Sequence, residues 1–130
     1  MSDTERHPIH TLEAVVLVAI GGFAGSNLRY AVDLLVGGLG ATLLVNVAGS
    51  FALGALVTEA ERSERLAPET RSVLATGFLS SLTTYSTFAF QTVQSTPVVL
   101  VANVIGNYAL GFAGVLAGRA VVGVLHRRWG

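Results

Sequence analysis

Four apolar runs take up almost the whole chain, at about residues 12–35, 40–58, 72–93 and 98–125. Each approaches or exceeds the roughly 20 residues an α-helix needs to cross a bilayer. In lipid every backbone N–H and C=O must find a partner inside the protein, so such runs become helices rather than loops or open strands. Residues 1–130 are therefore expected to form one all-α integral membrane domain of four transmembrane helices. The connectors leave no room for a soluble domain. "VGGLG" (36–40) is an uncharged glycine turn, "EAERSERLAPETR" (59–71) is the one strongly charged connector, and "QSTP" (94–97) makes a tight hairpin of the last two runs. Only 12% of residues are charged, against about 25% in soluble domains.

Several function classes fall away. There is no cysteine, hence neither a disulfide framework nor a thiolate metal site. No basic run is dense enough to track nucleic acid, and formal net charge is zero. The opening "MSDTERHPIH" lacks the basic-then-apolar pattern of a cleavable signal. His7, His10 and His126 all lie near the termini, so no nucleophile–base pair can be drawn at membrane depth. "HPIH" reads as a solvated pair rather than a metal site. No enzyme is expected.

The third run is the least suited to lipid. From Ser80 to Thr87 every side chain except Leu82 carries a hydroxyl. Ser and Thr compete for backbone hydrogen bonds, which favours a local break, and a break at membrane depth survives only inside protein or beside a watery cavity. The alternative is back-bonding within a continuous helix that the hydroxyls glue to its neighbours. Gly21 with Gly25, and Gly114 with Gly118, have the spacing that lets helix backbones approach closely. Asn46 and Ser50 share a face, as do Asn103 and Asn107. These groups, with Arg29, offer hydrogen-bond donors and a fixed cation, while no carboxylate lies mid-span. Cation pathways show Asp or Glu rings, so this polarity favours an anion. Tyr85 and Phe88, three apart, add rings whose positive edges attract one.

Four stretches, "GGFAGSNLRY" (21–30), "TLLVNVAGSFALG" (42–54), "GFLSSLTTYSTFAF" (77–90) and "NVIGN" (103–107), together resemble the CrcB, or Fluc, family of fluoride channels. They occur in that family's order, one per span. The resemblance implies a four-helix subunit with a break in the third helix, working as an antiparallel, dual-topology dimer with two fluoride pores. It also implies a structural, non-transported Na+ at the dimer centre, held by backbone carbonyls that map to Ser80 and Thr83. By the same resemblance Asn46 is the pore-lining amide donor, Tyr85 and Phe88 the aromatics of the fluoride path, and Arg29 the arginine near the pore entrance. Thr84, Ser86 and Asn107 are further donors along the route. The implied activity is passive export of fluoride from the cytoplasm, which reduces its toxicity. The chain departs from the pattern at Ser80 and Ser81, where two glycines are usual, at Tyr85, where Phe is commoner, and at Gly111, where many members have Ser.

With four crossings, Arg6, Arg62, Arg65, Arg71, Arg127 and Arg128 fall on one side of the membrane and only Arg29 leans to the other. The positive-inside rule then puts both termini in the cytoplasm in the dominant orientation. An antiparallel homodimer needs both orientations, so a paralogous subunit of opposite bias is the expected partner, ahead of a second copy. Two other functions compete. A small multidrug exporter needs an embedded carboxylate in the first span, and Glu13 is the only candidate. An accessory subunit of a heterodimer would supply scaffold and part of a pore.

Overall fold

A computed structural model of the chain describes residues 8–129, all of whose regular structure is helical. His7 and Arg6 lie outside the described residues. Helix α1 runs Pro8–Leu35, α2 Gly38–Arg62 and α6 Pro97–Trp129. These three are long and apolar enough to cross a membrane, with mean hydropathies of 1.6, 1.8 and 1.8. All three extend beyond the runs expected from hydropathy. At 33 residues, α6 measures about 50 Å against a hydrocarbon layer of about 30 Å, so its ends reach the headgroup regions.

The segment between α2 and α6 is divided. A short α3 (Pro68–Arg71) leads into a π-helical stretch (Ser72–Leu79), then one turn of α-helix, α4 (Ser80–Leu82). Pro68 opens it, where a missing N–H costs nothing. Helical structure resumes at α5 (Ser86–Val93), and Thr83 between them is extended, with φ −79° and ψ 158°. None of these pieces has the length to cross a bilayer alone. The α1–α2 turn is made by Gly37 and Gly38, both at positive φ (73° and 58°), the left-handed region that costs glycine little.

The helices pack as two pairs: α1 against the π stretch and α4, and α2 against α6, with α5 reaching both α2 and α6. Backbone contact sets both pairings. A Cβ on Gly21 would strike the carbonyl of Val73, and one on Gly25 that of Phe78. A Cβ on Gly118 would strike the Phe51 carbonyl, and one on Gly114 would sit 3.0 Å from that of Val47. Both glycine pairs read from the sequence thus serve close helix approach. The core is thin. Val45, Leu79 and Leu82 form its buried cluster, and among the described residues no large side chain is fully enclosed.

His10 and Glu13 of α1 line a hollow with Pro68 and Glu69, while Glu59 of α2 meets His126 of α6 at 2.7 Å. The start of α1, the 59–71 connector and the end of α6 therefore occupy one end of the bundle. Arg29 and Asp33 share a cleft with Thr42 near the opposite end.

Candidate functional site: a cleft beside the non-helical turn 83–85

The hydroxyl-rich stretch resolves into individual hydrogen bonds. Ser80 Oγ donates to the Thr76 carbonyl, and Thr83 Oγ1 to that of Leu79 at 2.9 Å, the back-bonding that bends helices. Thr84 ends the run differently. Its N–H would meet the Ser80 carbonyl in a continuous helix, but it donates to Asn46 Oδ1 at 2.8 Å. Asn46 Nδ2 in turn donates to the Thr84 carbonyl at 2.9 Å. Two reciprocal bonds thus hold one residue of the turn against the middle of α2. A carboxamide side chain does this well, because a single amide carries donor and acceptor side by side.

A second diversion follows at once. Thr87 N–H, the helical partner of the Thr83 carbonyl, goes to Thr84 Oγ1 at 3.1 Å, which serves α5 much as a capping side chain does. Thr84 Oγ1 also meets Thr87 Oγ1 at 3.1 Å and Ser86 Oγ at 3.3 Å. The Ser80 and Thr83 carbonyls thus lose their helical donors to side chains. Arg29 Nη1 approaches the Thr83 carbonyl at 3.5 Å.

Beside this turn lies a cleft of about 450 Å³, lined in part by Asn46, Ser50, Thr84, Tyr85, Phe88 and Asn107. Ser80 and Thr83 also line it. Phe88 is buried at 7% exposure, whereas Tyr85 is 72% exposed. Their ring centroids lie 5.8 Å apart, and Tyr108 meets Phe88 edge-on at 6.3 Å and 80°. Seven of the nine residues singled out by sequence reading come together here. The other two do not: Arg29 lines a second cleft of about 270 Å³ that shares Thr84 with the first, and Ser86 lines neither. Sequence reading missed Tyr108 as a wall residue. Its neighbour Asn107 was a signal for the region, but nothing local shows which ring of α6 faces Phe88. Among the described residues no carboxylate lines the large cleft, and Glu13 is exposed at the far end, 3.7 Å from His10.

A family described as "CrcB-like protein, Camphor Resistance (CrcB)" matches residues 16–125. The chain is also 63% identical over 122 residues to the fluoride-specific ion channel FluC 1 of Haloarcula marismortui, covering 94% of each. The chain belongs to the CrcB family. Other CrcB-family relatives include FluC 1 of Natronomonas pharaonis, 52% identical over 84% of this chain and 93% of that one. FluC 2 of Halobacterium salinarum is 50% identical over 83% and 85% respectively. With three apolar helices of spanning length, this CrcB-family member is a multi-pass membrane protein. Its relatives carry channel names, and on those names the chain is not an enzyme.

Proposed function

We propose that the chain is a subunit of a fluoride-specific channel that lets fluoride leave the cytoplasm passively. One observation carries this: the large cleft sits against a non-helical turn, with amide and hydroxyl groups and three aromatic rings on its wall and no carboxylate among its lining residues. The name of the Haloarcula relative supplies the ion. Fluoride leaves water only at great cost, so a path must replace hydration with donors. Asn46 keeps one N–H beyond the one given to Thr84, and the ring edges of Tyr85 and Phe88 present positive charge. Thr84, whose hydroxyl is engaged in the turn, joins the large cleft to the smaller one, where Arg29 raises the local anion concentration. Ser86 supports Thr84 from outside both clefts. An inside-negative potential drives an anion outward by about 2.3 kcal/mol per 100 mV.

In this reading residues 83–85 are the break of the third transmembrane helix, and Ser80 and Thr83 lend their carbonyls to a structural Na+. The residues present fit a hard cation. Both carbonyls have lost their helical N–H partners, and unwound carbonyls are what such ions take in membrane proteins. When bound, Na+ would supply a fixed positive charge and a cross-link between subunits. Arg29, at 3.5 Å from the Thr83 carbonyl, shares that oxygen. The functional unit is an antiparallel dimer, with a paralogue preferred over a second copy. The relatives' names, FluC 1 and FluC 2, fit organisms that hold more than one such chain.

The test is fluoride efflux from liposomes, followed with a fluoride electrode, for the chain alone and with its paralogue. Chloride and sodium-free controls run in parallel. Efflux selective for fluoride and dependent on sodium is expected. Equal chloride and fluoride flux, or silence under both conditions, overturns the reading.

A further inference from the structure

Behind the large cleft a chain of hydrogen bonds runs from α5 to α6. Thr92 Oγ1 donates to the Phe88 carbonyl at 2.6 Å. Asn103 Nδ2 donates to Thr92 Oγ1 at 2.8 Å. Asn107 Nδ2 donates to the Asn103 side-chain and backbone oxygens, each at 2.9 Å. Thr92 is buried, and neither Thr92 nor Asn103 lines the cleft.

The direction of this chain is fixed at both ends. A backbone carbonyl only accepts. The Phe88 carbonyl therefore forces Thr92 to spend its one hydrogen there, leaving its oxygen to accept from Asn103 NH2. The Asn103 backbone carbonyl forces Asn107 to present NH2 rather than oxygen to it. Reversing either amide would set oxygen against oxygen or NH2 against NH2, so the two amides hold each other's orientation as well. What remains at the end is Asn107 Oδ1, enclosed and without a hydrogen-bond partner, on a residue that lines the cleft.

We propose that Thr92 and Asn103 are positioning residues of the anion path. They tie the helix that carries Phe88 to α6, and they lock Asn107 with its donor turned inward. This rests on the channel reading above, and it changes what the path offers: Asn107 turns its NH2 to Asn103 and keeps its Oδ1 enclosed, so amide donation along this stretch falls to Asn46. The lock is a specificity device. An α5 released from α6 would let the Phe88 ring shift on the wall of the path, and a looser wall discriminates less between fluoride and chloride.

The experiment compares Thr92→Val, Thr92→Ser and Asn103→Leu with the wild type, reconstituted alone or with the paralogue, whichever conducts. Fluoride flux per folded protein and the fluoride-to-chloride permeability ratio are both measured. Thr92→Val, which keeps shape and removes the hydroxyl, is expected to lower the permeability ratio by about tenfold, the equivalent of one hydrogen bond. Asn103→Leu should do the same, and Thr92→Ser should stay within about twofold of wild type because it restores the hydroxyl. A purely structural role would lower the yield of folded protein while the survivors conduct with the wild-type ratio. An unchanged ratio in whichever of Thr92→Val and Asn103→Leu folds overturns the inference and leaves the channel reading standing. A wild type silent in both preparations overturns both.

Discussion

Asn46 does two jobs with one amide, and they can be separated by substitution. It holds Thr84 by two bonds while one N–H remains for the cleft. Asn46→Ala removes all three at once and leaves Thr84 N–H and C=O without their partner. Loss of two part-buried hydrogen bonds costs about 2 kcal/mol. The expected outcome is a chain that still inserts but unfolds at lower temperature in detergent, with fluoride flux reduced at least about tenfold. Asn46→Asp keeps an acceptor for Thr84 N–H but sets a carboxylate against the Thr84 carbonyl. Its flux should be as low, since it repels the anion as well. Flux near wild type in either variant would remove Asn46 from the path. That Asn46 must find a partner was legible in the sequence, where an unpaired mid-span amide is expensive. Its partner was not. The two residues are 38 apart, and only tertiary packing decides which backbone group a buried amide finds. For the same reason the Asn103–Asn107 spacing was legible as a shared face, whereas the connection through Thr92 to Phe88 needed the fold.

At the scale of the element, small residues at four-residue spacing identified the surfaces where α1 meets the π stretch and α2 meets α6. The physical reason is that backbone contact excludes every side chain larger than hydrogen, so the pattern is nearly unavoidable. Gly118 and Gly106, both within α6, give a matched test. A Cβ at Gly118 would strike the Phe51 carbonyl and lie 2.9 Å from Ala55 N, whereas one at Gly106 meets nothing within 4 Å. Gly118→Val should therefore destabilise by about 1–3 kcal/mol or more through overpacking, and Gly106→Ala should stabilise by up to about 1 kcal/mol through helix propensity. Thermal melting of the purified protein reads both, and equal melting temperatures would mean that the α2–α6 contact is looser than drawn. The π stretch at Ser72–Leu79 was not legible. Its apolar residues suit an α-helix equally well, and the type of helix depends on backbone register, seen where Ser80 N–H bonds the Ala75 carbonyl five residues back. The end of α4 is different: six Ser and Thr residues in eight advertised competition for backbone donors, and Thr84 Oγ1 does capture one.

For the molecule as a whole, the decisive quantity is the charge at its two ends. The fold gathers Arg62, Arg65, Arg71, Arg119, Arg127 and Arg128 toward one end, with Glu61 4.0 Å from Arg119 and Glu59 2.7 Å from His126. The other end carries Arg29 and Asp33. Acidic neighbours count for little in the orientation rule, so among the described residues six arginines against one predict insertion with the arginine-rich end in the cytoplasm. A thin core and exposed rings such as Phe23, Phe90 and Phe112 leave much apolar surface for lipid or a second subunit. If that subunit must run antiparallel, a chain that inserts one way needs a partner that inserts the other way. Reporter fusions at both termini in a bacterial host should find more than about nine-tenths of the chain with its ends inside, consistent with a bias of five arginines. Replacing Arg127 and Arg128 with glutamine, and adding two arginines to the Gly37 turn, should draw the population toward an even split. That variant should then conduct fluoride without the paralogue, in liposomes where the wild-type chain alone is silent. Equal orientations in the unmodified chain would show that a self-sufficient homodimer forms and that the arginine bias does not choose the partner.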